Sequence, residues 1–371
     1  MAAFLKNLAR MLGSNAAEPA VYLAAFGKHP GWNDHIDDLG LDTDDLVTAK
    51  RLLYVQGINQ NIDAGAWDNL DPDKRLTDFR HEFLWHMKGN GSGDHGHSLI
   101  AGRFWSSADG KGRDKYPMVL CAGTVELPDS FAGKTALKAL AKTHERCLAA
   151  TSADEIRKLI ETDRNTLRAS LNSIPAPEAL APRELAAVAS SHDLAPAREG
   201  FHRIVYQIAR GMSAYRPGTT SSGSSRSNSV RPEQIRVPLC GMTPSAALLF
   251  WLRFTLTFLD PSVPILLLAP DPAITRPVVI PPLELPPEDP AEESVVGPPA
   301  TPPPQIGWID ILVGEPTAQS LFCIKASLKS IPLTSDIPYT LDPNFCRAVN
   351  RFVDDCAASP PGTPLPAWPA L

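Results

Sequence analysis

Residues 101–117 read Ala-Gly-Arg-Phe-Trp-Ser-Ser-Ala-Asp-Gly-Lys-Gly-Arg-Asp-Lys-Tyr-Pro and run into the apolar stretch Met118 to Ala122. The pattern is strand, polar turn, strand. Gly102 to Trp105 is short and apolar-leaning, Ser106 to Lys115 gathers turn formers and charges, and Pro117 opens a run suited to a pleated, buried surface. The spacing predicts a hairpin with a charged tip. Asp109 and Arg113 stand so close in a glycine-punctuated loop that they either pair with each other or point together at a partner. An ordinary solvated turn is the plainer reading, because an exposed ion pair contributes only ~0–1 kcal/mol.

Working outward, Val21 to Phe26 reads as the first strand and ends in Gly27-Lys28-His29-Pro30-Gly31-Trp32-Asn33-Asp34, which cannot continue it. Asp44 and Asp45 precede a helix-like stretch through Leu46, Leu52, Leu53, Val55 and Ile58. Phe79, Phe83 and Leu84 are spaced as on one helix face, with a strand at Phe83 to Met87 as the alternative. Beyond the hairpin, Ser130 to about Leu171 has the periodicity of one or two helices. Pro175, Pro177 and Pro182 interrupt it, and Phe201 to Ile208 reads as a strand. Thr219 to Val230 is too polar and uniform to bury anything. Thr243-Pro244 starts a helix, Ile265 to Leu268 and Ile309 to Val313 read as strands, Leu321 to Leu328 as a further element, and Phe345 to Cys356 as a helix after Asp342-Pro343. The organisation is therefore an amphipathic segment 1–20, an α/β domain 21–215, a Ser-rich linker 216–234, and a C-terminal α/β region 235–357. That region contains a disordered insertion rich in proline and acid, 270–305, and a loose Pro-rich tail follows at 358–371.

With 371 residues and 43% hydrophobic content, the chain can bury a sizeable core as a soluble globular protein. A formal charge of -6 and a pI near 5.9 disfavour a nucleic-acid surface, which shows a clustered excess of Lys and Arg. Cys121, Cys147, Cys240, Cys323, Cys346 and Cys356 form no close pair, so a reducing cytoplasm fits best. In residues 1–13, Phe4, Leu5, Leu8, Met11 and Leu12 fall at helical spacing with Lys6 and Arg10 between them, which breaks any signal-peptide core. This amphipathic segment suits a membrane surface or a partner, or docks on its own domain. No transmembrane segment is expected, since Ala246 to Ala269 is cut by Arg253, Asp260, Pro261 and Pro264.

His81, His86, His95 and His97, with Glu82 and Asp94, form the histidine cluster, yet no i, i+4 helix pair of a metalloprotease is present. Gly89, Gly91, Gly93 and Gly96 fit neither GxGxxG nor a P-loop, so a flexible loop is the reading and no cofactor is expected. Ser191-His192-Asp193 is adjacent along the chain, whereas triad members meet in space. Trp85, Trp105, Trp251 and Trp308 sit in apolar contexts and read as core; Trp32, in the first loop, is the exception.

Two motifs carry a resemblance. Gly27, Lys28, Pro30 and Asp34 match Gly-Lys-x-Pro-x-x-x-Asp, and Gly102, Ser107, Asp109, Gly112 and Arg113 match Gly-x-x-x-x-Ser-x-Asp-x-x-Gly-Arg. In these residues, their order and their separation, the chain resembles the TagF family, also called ImpM, of bacterial type VI secretion. It departs from the pattern at Ser106, where proline is common, at His35, where an aromatic is frequent, and in having two residues between Arg113 and Tyr116. The resemblance covers about residues 21–175.

It implies an α/β (α+β) domain with a mainly antiparallel sheet flanked by helices, no catalytic activity, and a regulatory role in the cytoplasm. TagF-like proteins are post-translational repressors acting through a forkhead-associated scaffold. Lys28, Trp32, Asp34, Asp109 and Arg113 are the candidate partner-binding residues. The alternative is a hydrolase or metal-dependent enzyme using the His-rich loop 81–97 or the set Lys28, Asp34, Asp109 and Arg113. Convergence of those four on a deep pocket or on a shallow rim separates the two.

Overall fold

The computed structural model describes residues 18–66, 68–69, 80–87, 98–194, 198–217, 233–270, 307–314, 333–337 and 340–369. Its strands in chain order are β1 (Ala20–Gly27), β2 (Arg80–Met87), β3 (Ser98–Ser106), β4 (Pro117–Val125), β5 (Glu233–Pro238), β6 (Ile265–Pro270) and β7 (Trp308–Val313). They form one sheet ordered β1-β4-β3-β2-β6-β7-β5, with every neighbouring pair antiparallel. The predicted hairpin is β3 and β4, with Gly102 opposite Cys121 and Ser106 opposite Pro117. Pairing of β2 with β6 joins strands from the stretches 21–215 and 235–357 in the same sheet.

The helices are α1 (Asp44–Ala49), α2 (Leu137–Ala149), α3 (Ala153–Ala169), α4 (Pro182–Ala189), α5 (Glu199–Tyr206), α6 (Pro244–Leu256) and α7 (Pro343–Ala358). α1 continues through a widened π-helical stretch, Lys50–Asn59, into Gln60–Asp63. Four of these starts carry a side-chain cap. Thr43 accepts a hydrogen bond from the Leu46 N–H, Ser152 and Glu155 form a reciprocal capping box, Thr243 accepts from Ala246, and Asp342 accepts from Asn344.

Both faces of the sheet are buried, which is why its strands read as continuous apolar runs. Leu23, Leu84, Leu120, Leu267 and Ile311 share one cluster with side chains of α2, α3 and α6. Phe26, Phe83, Trp85 and Val119 face the other way, against Leu46, Ala49 and Leu53 of α1 and its continuation. Behind the first layer, Phe201 of α5 meets Phe254 of α6 at 5.6 Å, and α7 packs on α4. At the far edge, Arg236 of β5 holds Asp310 of β7 in a buried bidentate pair at 2.9 and 3.1 Å.

Three expectations are corrected. Phe201 to Ile208 begins as helix, not strand: Phe201, Ile204, Val205 and Ile208 follow a helical period and bury one face. Phe83 and Leu84 do not share a helix face, because β2 sends them to opposite sides of the sheet. The Pro-rich tail is not loose over its described part. Trp368 stacks on Phe352 at 3.9 Å, lies 4.5 Å from Phe258, and donates to Thr257 Oγ1 at 3.0 Å. The readings of residues 1–17, Thr219 to Val230, Leu321 to Leu328, and all of 270–305 except Pro270 lie outside the described residues. No helix of the described residues is long and apolar enough to cross a membrane.

Gly102 shows how closely the faces are filled. A Cβ there would come within 2.0 Å of the Phe83 ring, whose side chain is fully buried. Gly102→Ala is therefore expected to lower the unfolding free energy by about 1–3 kcal/mol, the usual cost of overpacking. Urea denaturation measures it, and an unchanged midpoint would contradict this packing.

Candidate functional site

The first loop leaves β1 at Gly27 and the second connects β3 to β4, so both emerge at the same end of the sheet, across β4. The approach is very close. Gly27 has φ +110° and a Cβ there would lie 2.2 Å from the Pro117 carbonyl oxygen, which accepts the Lys28 N–H at 3.0 Å. The first loop then folds back, with Ile36 N–H donating to the Gly27 carbonyl at 2.8 Å. Gly110 N–H donates to the Trp32 carbonyl and closes the gap between the two loops.

Within that frame Lys28 is buried, at 1% exposure. Its ammonium donates to Asp109 Oδ2 at 2.7 Å and to Asp34 Oδ1 at 2.9 Å, and lies 5.1 Å from the centre of the Tyr116 ring. Asp109 has a fully buried side chain. Its Oδ1 accepts the backbone N–H groups of Lys111 and Arg113 at 3.0 and 3.1 Å, and its Oδ2 accepts Lys28 and the Arg113 Nε at 2.7 Å. Arg113 also donates to Asp34 Oδ1 and to the Asn33 carbonyl, each at 3.0 Å. Two cations and two carboxylates thus close into a neutral network across both loops.

Electrostatics follow from these contacts. Burial pushes the Asp109 carboxyl up, but the donations from Lys28, two backbone N–H groups and Arg113 outweigh it and hold the group well below the ordinary carboxylate range. The Lys28 hydrogen bond lowers Asp34, and the Asp109 hydrogen bond raises Arg113. Burial and then Asp63, which accepts from the Tyr116 hydroxyl at 2.6 Å, push that phenol up to about 12.

Of the five predicted residues, the structure joins Lys28, Asp34, Asp109 and Arg113 directly and sets Trp32 beside them. They do not present one exposed rim. Lys28 and Asp109 are sealed, whereas the side chains of Asp34 and Arg113 are 66% and 48% exposed. Trp32 is half-buried, edge-on to His29 at 5.9 Å and 5.4 Å from the Arg157 guanidinium, which pairs with Asp37 and Asp154.

Several members had no clear sequence signal. His29 donates to the Cys147 carbonyl at 3.1 Å, and Gly31 packs on Ser152 and Ala153, so the first loop is tied to the junction of α2 and α3. His35 meets both Tyr54 and Tyr116 edge-on at 5.8 Å, as an aromatic ring would. Tyr116 alone could have been suspected, as an aromatic closing a polar turn.

The histidine cluster is divided. His81 stacks on Phe104 at 4.8 Å, with burial and then Arg236 lowering its pKa to about 3, while His86 donates to the Pro261 carbonyl at 2.7 Å from the other face of β2. Among the described residues no group of three His, Cys, Asp or Glu is placed to hold a metal; Asp94, His95 and His97 lie outside them. The described cysteines, Cys121, Cys147, Cys240, Cys346 and Cys356, are free thiols. Compared with models of known families and with curated proteins, the chain matches none.

The network fixes a pH dependence. A carboxyl held below its unfolded value, about 4, adds stability above that pH and loses it as the pH falls toward the folded value. Wild-type stability should therefore drop steeply below about pH 4, and the drop should be shallower in Asp109→Asn. Urea midpoints between pH 6 and 2 test this, and equal slopes for the two proteins would contradict it.

Proposed function

We propose that this chain is a non-enzymatic, cytoplasmic accessory protein of a bacterial type VI secretion system. It represses assembly after translation by binding a forkhead-associated scaffold. The carrying observation is that the motif residues behind the family resemblance are the ones that lock the two loops together. Lys28 and Asp109 satisfy each other in the interior and leave no free base, acid or nucleophile between them. What reaches solvent is a surface of Asn33, Asp34, Lys111 and Arg113 beside half-buried Trp32. Mixed charge around an apolar anchor suits selective protein recognition better than a one-signed steering field.

The four-residue set converges on a sealed Lys28–Asp109 pair with Asp34 and Arg113 at its exposed edge, which supports a binding surface. Lys28 belongs to the support of this surface and not to the contact, so it is left unchanged in the test.

Binding of the forkhead-associated scaffold from the host is to be titrated against wild type, Trp32→Ala and Arg113→Glu, with thermal unfolding measured for each. Loss of the tryptophan anchor should weaken binding by about 30-fold, the effect of removing ~2 kcal/mol from a central contact. Arg113→Glu should slow association. Unchanged binding by both folded variants would remove the site, and failure of wild type to bind any secretion component would remove the function.

A further inference from the structure

The proline-rich stretch after α7 is fastened to the body of the protein by one aromatic ring. Trp368 stacks on Phe352 of α7 at 3.9 Å with the ring planes 23° apart, lies 4.5 Å from Phe258, and stands edge-on to Phe254 of α6 at 5.9 Å. Its indole N–H donates to Thr257 Oγ1 at 3.0 Å. The three phenylalanines are buried and Trp368 is partly buried, so they form an aromatic socket that the tryptophan fills from outside. Leu365 adds a second apolar contact at the margin of the same core. Among the described residues, the indole hydrogen bond is the one polar tie from 360–369 to the rest of the chain.

The shape of this strap comes from its own sequence. Pro360, Pro361, Pro364, Pro366 and Pro369 hold φ at about −65° and lack an N–H, and the residue before a proline is pushed to extended backbone, which covers Thr363, Leu365 and Trp368. Pro360 to Thr363 closes a turn on itself. Gly362 has φ +80° with nothing within 4 Å of a Cβ placed there, and the Pro360 carbonyl accepts both the Thr363 N–H and the Thr363 hydroxyl, at 3.4 and 2.7 Å. Release of the strap therefore breaks one hydrogen bond and the contacts of two apolar side chains, and leaves α7 as it is. An extended proline-rich segment that delivers an aromatic ring to an aromatic-lined site is also how chains recognise one another, because such a segment loses little freedom on docking.

We propose that Phe254, Thr257, Phe258 and Phe352 form a peptide-binding site for proline-rich segments that carry tryptophan next to proline. Residues 364–369 are its resident ligand, and a partner's segment of the same chemistry is its ligand in trans. The resident strap is tethered at roughly millimolar effective concentration, which sets the threshold that a partner's segment must exceed.

The probe is a fluorescein-labelled, C-amidated peptide of residues 359–371, titrated by anisotropy against the full chain as wild type and as Trp368→Ala. It should bind Trp368→Ala about tenfold or more tightly than wild type, where the resident strap competes. A Trp368→Ala version of the peptide should bind that variant about tenfold or more weakly, and adding Thr257→Val to the variant should weaken binding several-fold by removing the acceptor. Should Trp368→Ala lose its thermal transition, Trp368→Leu repeats the comparison. No binding to the folded variant, equal binding by wild type and variant, or binding indifferent to the peptide's tryptophan or to Thr257→Val would each overturn the proposal. A wild-type dimer at micromolar concentration that Trp368→Ala abolishes would also overturn it, because the socket would then join copies of this chain.

Discussion

One buried ammonium organises this end of the molecule. Removing an amine charge from water costs several kcal/mol unless opposite charge and hydrogen-bond acceptors replace the solvent. For Lys28 the replacements are Asp109 at 2.7 Å, Asp34 at 2.9 Å and the face of Tyr116. Asp109 stands 81 residues away in the chain, so the lysine is satisfied only when the two loops are assembled. Neither loop can shift alone without stranding a charge in the interior.

The sheet makes that arrangement possible. β4 runs between β1 and β3, so the first loop and the hairpin tip leave the same end on either side of one strand. The missing side chain of Gly27 lets the first loop approach the Pro117 carbonyl, and the His29 contact with Cys147 ties the loop to the helical layer. A surface held this firmly loses little conformational freedom when it meets a partner, and preorganisation of this kind favours binding. That property underlies the proposed role of Trp32 and the exposed edges of Asp34 and Arg113.

The hairpin was legible in the sequence because turn formers and charges from Ser106 to Lys115 separate two apolar runs, a purely local signal. The grouping of Lys28, Asp34, Asp109 and Arg113 was legible through the two motifs that carry the resemblance. The burial of Lys28 was not, because a loop lysine is ordinarily solvated and its cover comes from Tyr116 and the far loop. Phe201 to Ile208 has the apolar, β-branched content of a strand, but the i, i+3, i+4 spacing of its buried residues decides for helix. Proline density hid the anchoring of Trp368, which depends on Phe258 and Phe352 from distant elements. The β2–β6 pairing has no local signature either, since buried strands of one sheet do not announce their neighbours.

The central claim is that Lys28 and Asp109 act as one unit, and a double-mutant cycle measures this most directly. Unfolding free energies are compared for wild type, Lys28→Met, Asp109→Asn and the double variant. Each single change should cost about 3–5 kcal/mol by breaking the buried ion pair. The double variant should cost far less than their sum, with a coupling energy of about 2 kcal/mol or more. Additive effects within ~0.5 kcal/mol would contradict the account, because the two loops would then be held by something other than this pair.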